Sequence, residues 1–205
     1  MAIVFTEVEN LILIPFGKIK IAVYFGFFAV VSLMILLDGN GCASYAMAAC
    51  ILHEAGHLAV MSAVGLPVKR ICLYGAGVKI VPEKRFIGYA KELAVLLGGV
   101  MMNLTLFAAF YFLSDDPNAK LFAAVNLVTG GFNLLPLKGF DGGRIVSLAA
   151  EKYVSADRTA WAEGIVKFMN IAAFAAAFCG ALIVGFGNLT FYVTLIYFMI
   201  SELLF

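Results

Sequence analysis

The fold of this protein is decided by residues 43–64, ASYAMAACILHEAGHLAVMSAV, an apolar stretch that carries His53, Glu54 and His57 near its middle. A helix that crosses a membrane needs about 20 predominantly apolar residues, and this stretch has that length. An acidic side chain at the centre of such a helix costs about 3 kcal/mol on insertion scales, so ionisable residues there usually have a function. The stretch therefore predicts a transmembrane helix with a polar site inside it.

The composition of the whole chain is that of a membrane protein. Of its 205 residues, 63% are hydrophobic and only 13% are charged, whereas soluble domains are about a quarter charged. The net charge of +1 gives no basic field for nucleic acid, which we exclude as a partner. The 4 cysteines show no paired spacing, which argues against a disulfide framework and against a thiolate zinc cluster.

Hydropathy predicts an all-α polytopic membrane protein, in which residues 1–205 form a single membrane domain and no soluble regulatory domain is present. A membrane-associated lead-in occupies residues 1–20. Six transmembrane helices are predicted at about 21–37, 43–64, 93–113, 121–148, 166–186 and 189–204. The fourth is broken near Pro136, and a polar linker at 151–163 precedes the fifth. Two β-branched runs around Gly75 and Gly77 predict a small β-hairpin between helices 2 and 3.

The basic residues predict the orientation of these helices, because Lys and Arg concentrate in cytoplasmic loops. With six spans, thirteen of the 14 basic residues fall on one side of the membrane and only Lys120 on the other. We therefore expect a multi-pass protein of the cell membrane with both termini in the cytoplasm. His57 lies past the midpoint of its span and Asp141 lies close to Arg144, so the polar site is expected in the cytoplasmic half of the bilayer.

The central motif, His53-Glu54-Ala55-Gly56-His57, is an HExxH sequence that contains the only 2 histidines of the chain. Helix residues four apart project from one face, so the two imidazoles can bind one zinc ion. Glu54, next to the first histidine, can take a proton from a water molecule and act as a general base. The alternative explanation is coincidence, but only about 1% or less of random chains of this length would contain an HExxH sequence.

A catalytic zinc ion needs a third protein ligand and an open position for water. Asp141 is the best candidate, because it follows a broken helix at comparable depth. Cys50, three residues before His53, is a weaker alternative. Pro136 removes a backbone donor and the glycines after Asp141 permit close approach, so the break can line a hydrated cavity. A plain kinked helix with a capping aspartate is the other interpretation of this segment.

These motifs resemble the site-2 proteases, which are intramembrane zinc metalloproteases, and within them the bacterial sporulation factor IV B type. HEAGH at 53–57 matches the first family motif, and NLLP at 133–136 followed by DGG at 141–143 matches the second. The resemblance implies that one zinc ion is bound by His53, His57 and Asp141. It also implies Glu54 as general base and acid, and Asn133 as a polar group near the substrate carbonyl.

A third stretch, GGVMMN at 98–103, is similar to the glycine-rich motif of the family's third span. Val100 stands where the family usually has proline. Close packing of the third span against the second is the other explanation for Gly98 and Gly99.

The function that the resemblance implies is hydrolysis of a peptide bond in or near a membrane-embedded segment of a substrate protein. Resemblance to the sporulation type further implies a sigma-factor precursor as the target. A helical substrate must unwind to expose its carbonyls, and the hairpin at 68–81 offers a strand edge for pairing, unless it is a simple loop. Expected partners are a membrane-tethered protein substrate, the lipid bilayer and a membrane regulator protein, with zinc as the cofactor. The alternatives are a catalytically inactive family member and a membrane protein that binds or transports metal.

Overall fold

The structure is a computed structural model that describes residues 12–38, 41–75, 77–83, 87–137, 139–154 and 156–185, with positions 187, 192, 195–196 and 199–200 beyond them. Most of the predicted lead-in and most of the predicted sixth span, 189–204, lie outside the described residues. The chain divides into two compact units, Met1–Gly130 and Gly131–Phe205. Each unit is described by itself.

Helices make up most of the described chain. In the first unit these are α1 (Phe25–Leu37), α2 (Cys42–Ala63), α3 (Tyr89–Leu113) and most of α4 (Pro117–Asn133). The second unit contains α5 (Asp141–Tyr153) and α6 (Ala156–Val184). The mostly helical class that the sequence predicts is confirmed, and α2 differs from its predicted bounds by one residue at each end.

A small sheet accompanies the helices of the first unit. Its strands are β1 (Ile12–Phe16), β2 (Ile19–Val23), β3 (Val68–Tyr74) and β4 (Gly77–Pro82), in the order β1-β2-β3-β4. The antiparallel pair of β3 and β4 is the predicted hairpin, and β2 adds to β3 in parallel. The sheet is thus twice the size that the sequence predicts.

The first predicted helix begins too early as a result. Residues 21–23 belong to β2, and α1 begins at Phe25. The apolar run passes from strand into helix without a polar break, so hydropathy alone merges the two elements. The alternation of Ile19, Lys20 and Ile21 is the period of a strand, but its partner β3 lies about fifty residues further along the chain.

Three helices among the described residues are long and apolar enough to cross a membrane, and these are Cys42–Ala63, Tyr89–Leu113 and Gly164–Val184. They correspond to the second, third and fifth predicted spans. Helix α1 is apolar but has only 13 residues. Some large apolar side chains near helix ends are highly exposed, and Leu113 and Ile183 are each 86% exposed. Such exposure is expected for surfaces that face lipid.

The break in the fourth predicted span lies between the end of α4 at Asn133 and the start of α5 at Asp141, where residues 134–137 and 139–140 are not helical. The polar stretch predicted at 151–163 is largely helical, because α5 continues to Tyr153 and α6 already begins at Ala156, and the apolar part of α6 begins at Gly164. Ala, Arg and Glu in this stretch are good helix formers. Polar residues in this stretch indicate where the chain leaves the apolar layer of the membrane. They do not indicate where a helix ends.

Candidate metal centre

His53 and His57 lie on the face of α2 that packs against α3. Both side chains are buried, with 3% and 7% of their surface exposed. Their Nε2 atoms lie 3.1 Å apart, and the ring planes are nearly perpendicular, at 84°. The spacing of four residues on one helix therefore brings the two imidazoles to one point, as the sequence predicts.

The other ring nitrogen of each histidine faces an oxygen atom of α3. His53 Nδ1 lies 2.6 Å from Asn103 Oδ1, and His57 Nδ1 lies 2.7 Å from the backbone oxygen of Val95. Oxygen atoms of these types accept hydrogen bonds, so each Nδ1 carries the hydrogen and donates it. A neutral imidazole has a single N–H group, which leaves a lone pair on each Nε2.

This pair of rings fits a metal ion. Two Nε2 lone pairs that face each other at 3.1 Å repel unless a cation lies between them. Histidines that bind metals almost always donate their second N–H to a carbonyl or carboxylate oxygen, which fixes the tautomer. Both His53 and His57 do so, and Nε2 of imidazole is a common zinc ligand.

Gly99 of α3 lies directly against the two rings. A Cβ atom at this position would lie 2.5 Å from His57 Nε2 and 2.6 Å from His53 Nε2, where real Cβ atoms essentially never come within 3.0 Å. Any side chain would therefore push the imidazoles away from their meeting point. Glycine is required here by the space around the histidines.

Glu54 directly follows His53 on α2 and is half-buried. Its position in the chain places a carboxylate next to the histidine pair, where the HExxH pattern puts the general base. Its catalytic role stays a prediction.

The third predicted ligand, Asp141, is the first residue of α5 and is half-buried. Asp141 belongs to the second compact unit, and its part in a metal site with His53 and His57 stays a prediction. Cys50, the weaker alternative as third ligand, is exposed.

The segment before Asp141 is built by close backbone contacts within the second unit. A Cβ atom on Gly142 would contact the backbone oxygen of Leu134 and lie 2.5 Å from that of Leu135. Asn170 Nδ2 of α6 donates a hydrogen bond of 2.7 Å to the backbone oxygen of Pro136. The segment is thus an ordered connection between two helices, and the interpretation as a plain kinked helix is wrong.

Asn133, the other predicted catalytic residue, is the last residue of α4 and is half-buried. Its role near a substrate carbonyl stays a prediction.

Sequence reasoning does not identify three buried asparagines that form hydrogen bonds to other segments of the chain. Asn103 and Asn126 have no exposed surface, and Asn170 is only 8% exposed. The signal was present, because an amide inside an apolar helix is costly unless it has hydrogen-bond partners. Their partners belong to distant parts of the chain, so only the structure identifies them.

The fold and the site together define a helical membrane protein with a buried two-histidine centre on an HExxH helix. No family model matches the chain. The chain is 31% identical over 112 residues to zinc metalloprotease MJ0392 of Methanocaldococcus jannaschii, a match that covers 50% of this chain and 32% of that protein. It therefore spans about a third of the length of this curated relative.

A solved structure, the site-2 protease from Methanocaldococcus jannaschii, matches the fold with a TM-score of 0.66 at 18% identity, over 95% of this chain and 94% of that chain. The chain thus has the fold of a site-2 protease. These comparisons confirm the resemblance to the site-2 protease family, while the sporulation factor IV B type stays a prediction.

Proposed function

We propose that this protein is an intramembrane zinc metalloprotease. The observation that carries the proposal is the histidine pair, whose Nε2 atoms lie 3.1 Å apart and whose Nδ1 atoms both donate to oxygen acceptors. Glu54 beside the pair adds a carboxylate, which a protease needs and a purely structural metal site does not. The name of the curated relative and the fold of the solved structure support the same activity.

In this proposal His53, His57 and Asp141 hold one zinc ion. The donor set of two imidazoles and one carboxylate is a common one for catalytic zinc, and it leaves a position open for water. When bound, zinc supplies a Lewis acid that polarises the substrate carbonyl and makes water a better nucleophile.

Glu54 then works as the proton carrier of the reaction. Its carboxylate accepts a proton from the attacking water and returns it to the nitrogen of the leaving amine. The side-chain amide of Asn133 donates a hydrogen bond to the oxygen of the substrate carbonyl as negative charge develops there. Together these residues would hydrolyse one peptide bond without a covalent intermediate on the protein.

The substrate in this proposal is a membrane-tethered protein, cut in or near its membrane-embedded segment. A helix hides its carbonyls in its own hydrogen bonds, so the segment must unwind before it reacts. Strand β4 is an edge strand of the described sheet, and an edge can pair with an extended peptide. A sigma-factor precursor in sporulation is the specific substrate that the resemblance suggests.

The proposed topology has both termini in the cytoplasm and the metal centre in the cytoplasmic half of the bilayer. The clustering of basic residues on one predicted side supports it. Products would then be released into the cytoplasm, which suits the activation of a soluble regulator.

The variant Glu54→Gln tests the proposal. In the full chain reconstituted in liposomes, it should keep the zinc content of the wild type and lose cleavage of a membrane-tethered test substrate by about 10²–10⁴-fold. Glu151→Gln is the matched control, since Glu151 forms an exposed ion pair with Arg144. Normal cleavage by Glu54→Gln would refute the mechanism.

The same preparation separates the two alternatives. A catalytically inactive family member would bind zinc but cleave no test substrate. A transport protein would move zinc into the liposomes. This uptake would continue in Glu54→Gln if the Glu54 carboxylate lies outside the ion path, and it would stop if the carboxylate is part of that path.

A further inference from the structure

Two buried asparagines connect the metal centre to a helix that contributes no predicted ligand. Asn103 of α3 and Asn126 of α4 have no exposed surface. Asn103 Oδ1 accepts the hydrogen bond from His53 Nδ1, and Asn103 Nδ2 donates to Asn126 Oδ1 at 2.9 Å. A chain of side-chain hydrogen bonds therefore runs from α4 through α3 to His53 on α2.

Backbone carbonyls fix the direction of this chain. Asn103 Nδ2 also faces the backbone oxygen of Ala49 at 3.2 Å, and Asn126 Nδ2 faces the backbone oxygen of Phe122 at 2.9 Å. A carbonyl oxygen only accepts, so both amide nitrogens must point toward these atoms. Rotation of either amide by 180° would place two oxygen atoms against each other, and each amide thus has a single allowed orientation.

The orientation of Asn103 determines the tautomer of His53. With its orientation fixed, Asn103 can offer His53 only an acceptor, so the hydrogen of the imidazole must be on Nδ1 and the lone pair on Nε2. Nε2 is the atom that faces His57. The two asparagines therefore select the tautomer and the ring orientation in which His53 can bind a metal.

We propose that Asn126 is a positioning residue of the metal centre, which acts through Asn103 to hold His53 with Nε2 directed at the metal. The inference rests on the zinc site of the proposed function and adds α4 to the elements that determine its affinity. Gly130 of α4 supports the arrangement, because a Cβ atom there would lie 3.2 Å from Asn103 Cβ. Helix α4 thus approaches the asparagine closely enough for Asn126 to reach it.

A role in helix association alone is the competing explanation, since buried amides also join helices in membranes. The two roles differ in what they change. A helix contact affects the stability of the metal-free protein, whereas a positioning residue also affects how tightly zinc is held. Partners of a metal-binding histidine typically contribute 10–100-fold to metal affinity.

The test measures zinc affinity of the full chain in detergent micelles by competition with a chelator, together with the thermal stability of the metal-free protein. Asn103→Leu should weaken zinc binding by about 10–100-fold. Asn126→Leu should weaken it by a smaller but measurable factor, on the order of 3–10-fold, because Asn103 keeps its bond to Ala49. Leucine has a similar volume, so packing changes little.

A double-mutant cycle tests whether Asn126 acts through Asn103. If it does, Asn126→Leu has no further effect on zinc affinity once Asn103→Leu is present. Effects that multiply in the double variant would overturn the inference. So would a wild-type zinc affinity in Asn126→Leu.

Two further variants exclude a purely structural explanation and a folding failure. Val100→Ala removes a buried apolar group from α3 and should lower stability without a change in zinc affinity; an equal loss of affinity would contradict the positioning role. Asn126→Ala removes the same acceptor without a bulkier side chain to pack, so it should weaken zinc binding by a similar factor, on the order of 3–10-fold. Wild-type zinc affinity in this variant would overturn the inference even if Asn126→Leu does not fold.

The outcome also separates this inference from the proposed function. If the wild-type chain binds no zinc, both fail. If the wild type binds zinc and the asparagine variants bind it equally well, only the positioning role of Asn126 fails.

Discussion

Gly56 of α2 and Gly98 of α3 contact each other backbone to backbone, and a Cβ atom on Gly98 would lie 2.8 Å from the backbone oxygen of Gly56. This contact sets the distance between the two helices at the level of the histidine pair. It brings Val95, Gly99 and Asn103 of α3 up to the imidazole rings. The close packing predicted for the glycine-rich motif is therefore confirmed, and it also determines the surroundings of the metal centre.

Replacement of Gly98 by alanine should destabilise the protein. The added methyl group meets backbone atoms of α2, which cannot move aside as a flexible side chain would, and overpacking of this kind costs about 1–3 kcal/mol. The measurement is the free energy of unfolding in mixed micelles. Gly180→Ala on α6 is the control, because its Cβ atom meets nothing within 4 Å among the described residues. Equal stability of the two variants would contradict the proposed packing.

The variant Gly99→Ala should lose zinc. Its Cβ atom would lie 2.5 Å from His57 Nε2, so the imidazoles must separate and their common metal position is lost. Metal analysis of the purified protein checks this, with Gly180→Ala again as control. A full equivalent of zinc in Gly99→Ala would show that the ion lies elsewhere.

Removal of a proposed ligand should also release the ion. His57→Ala and Asp141→Ala are each expected to reduce bound zinc to well below one equivalent, because two remaining protein ligands are too few for a stable catalytic site. Asp115→Ala is the control, since Asp115 makes an exposed ion pair with Lys120 and such pairs contribute only about 0–1 kcal/mol. Unchanged zinc in Asp141→Ala would refute the assignment of the third ligand.

The variant Asn170→Leu should destabilise the segment at 134–140. It removes the hydrogen bond of 2.7 Å to the backbone oxygen of Pro136 and leaves a partly buried acceptor without this donor, which costs about 1 kcal/mol. Thermal unfolding in detergent measures the effect. Thr105→Val removes an exposed hydroxyl that bonds within its own helix and should change little. If Asn170→Leu is as stable as this control, the segment does not depend on α6.

The sheet shows where sequence reasoning worked and where it did not. The hairpin of β3 and β4 is local, and its glycine turn and β-branched runs predict it. Strand β2 pairs with β3 although α1 and α2 lie between them in the sequence. No local pattern predicts a pairing of strands so far apart in the chain. Hydropathy therefore assigns residues 21–23 of β2 to the helix that continues their apolar run.

The candidate site divides in the same way. The motif from His53 to His57 is decided by the sequence, because the spacing of side chains along a helix follows from helix geometry alone. The roles of Asn103 and Asn126 are different in kind. Each depends on which helix lies opposite and on which atom of an amide faces it, and these depend on contacts between residues far apart in the chain.

Composition and short-range spacing thus predict a membrane protein, a helix that carries two histidines and a glutamate within five residues, and a later helix that is broken before an aspartate. These are properties of composition and of short-range spacing. The tertiary structure decided the tautomer of His53, the requirement for glycine at position 99 and the extra strands of the sheet. It could do so because hydrogen-bond direction and close approach are fixed only when separate segments pack together.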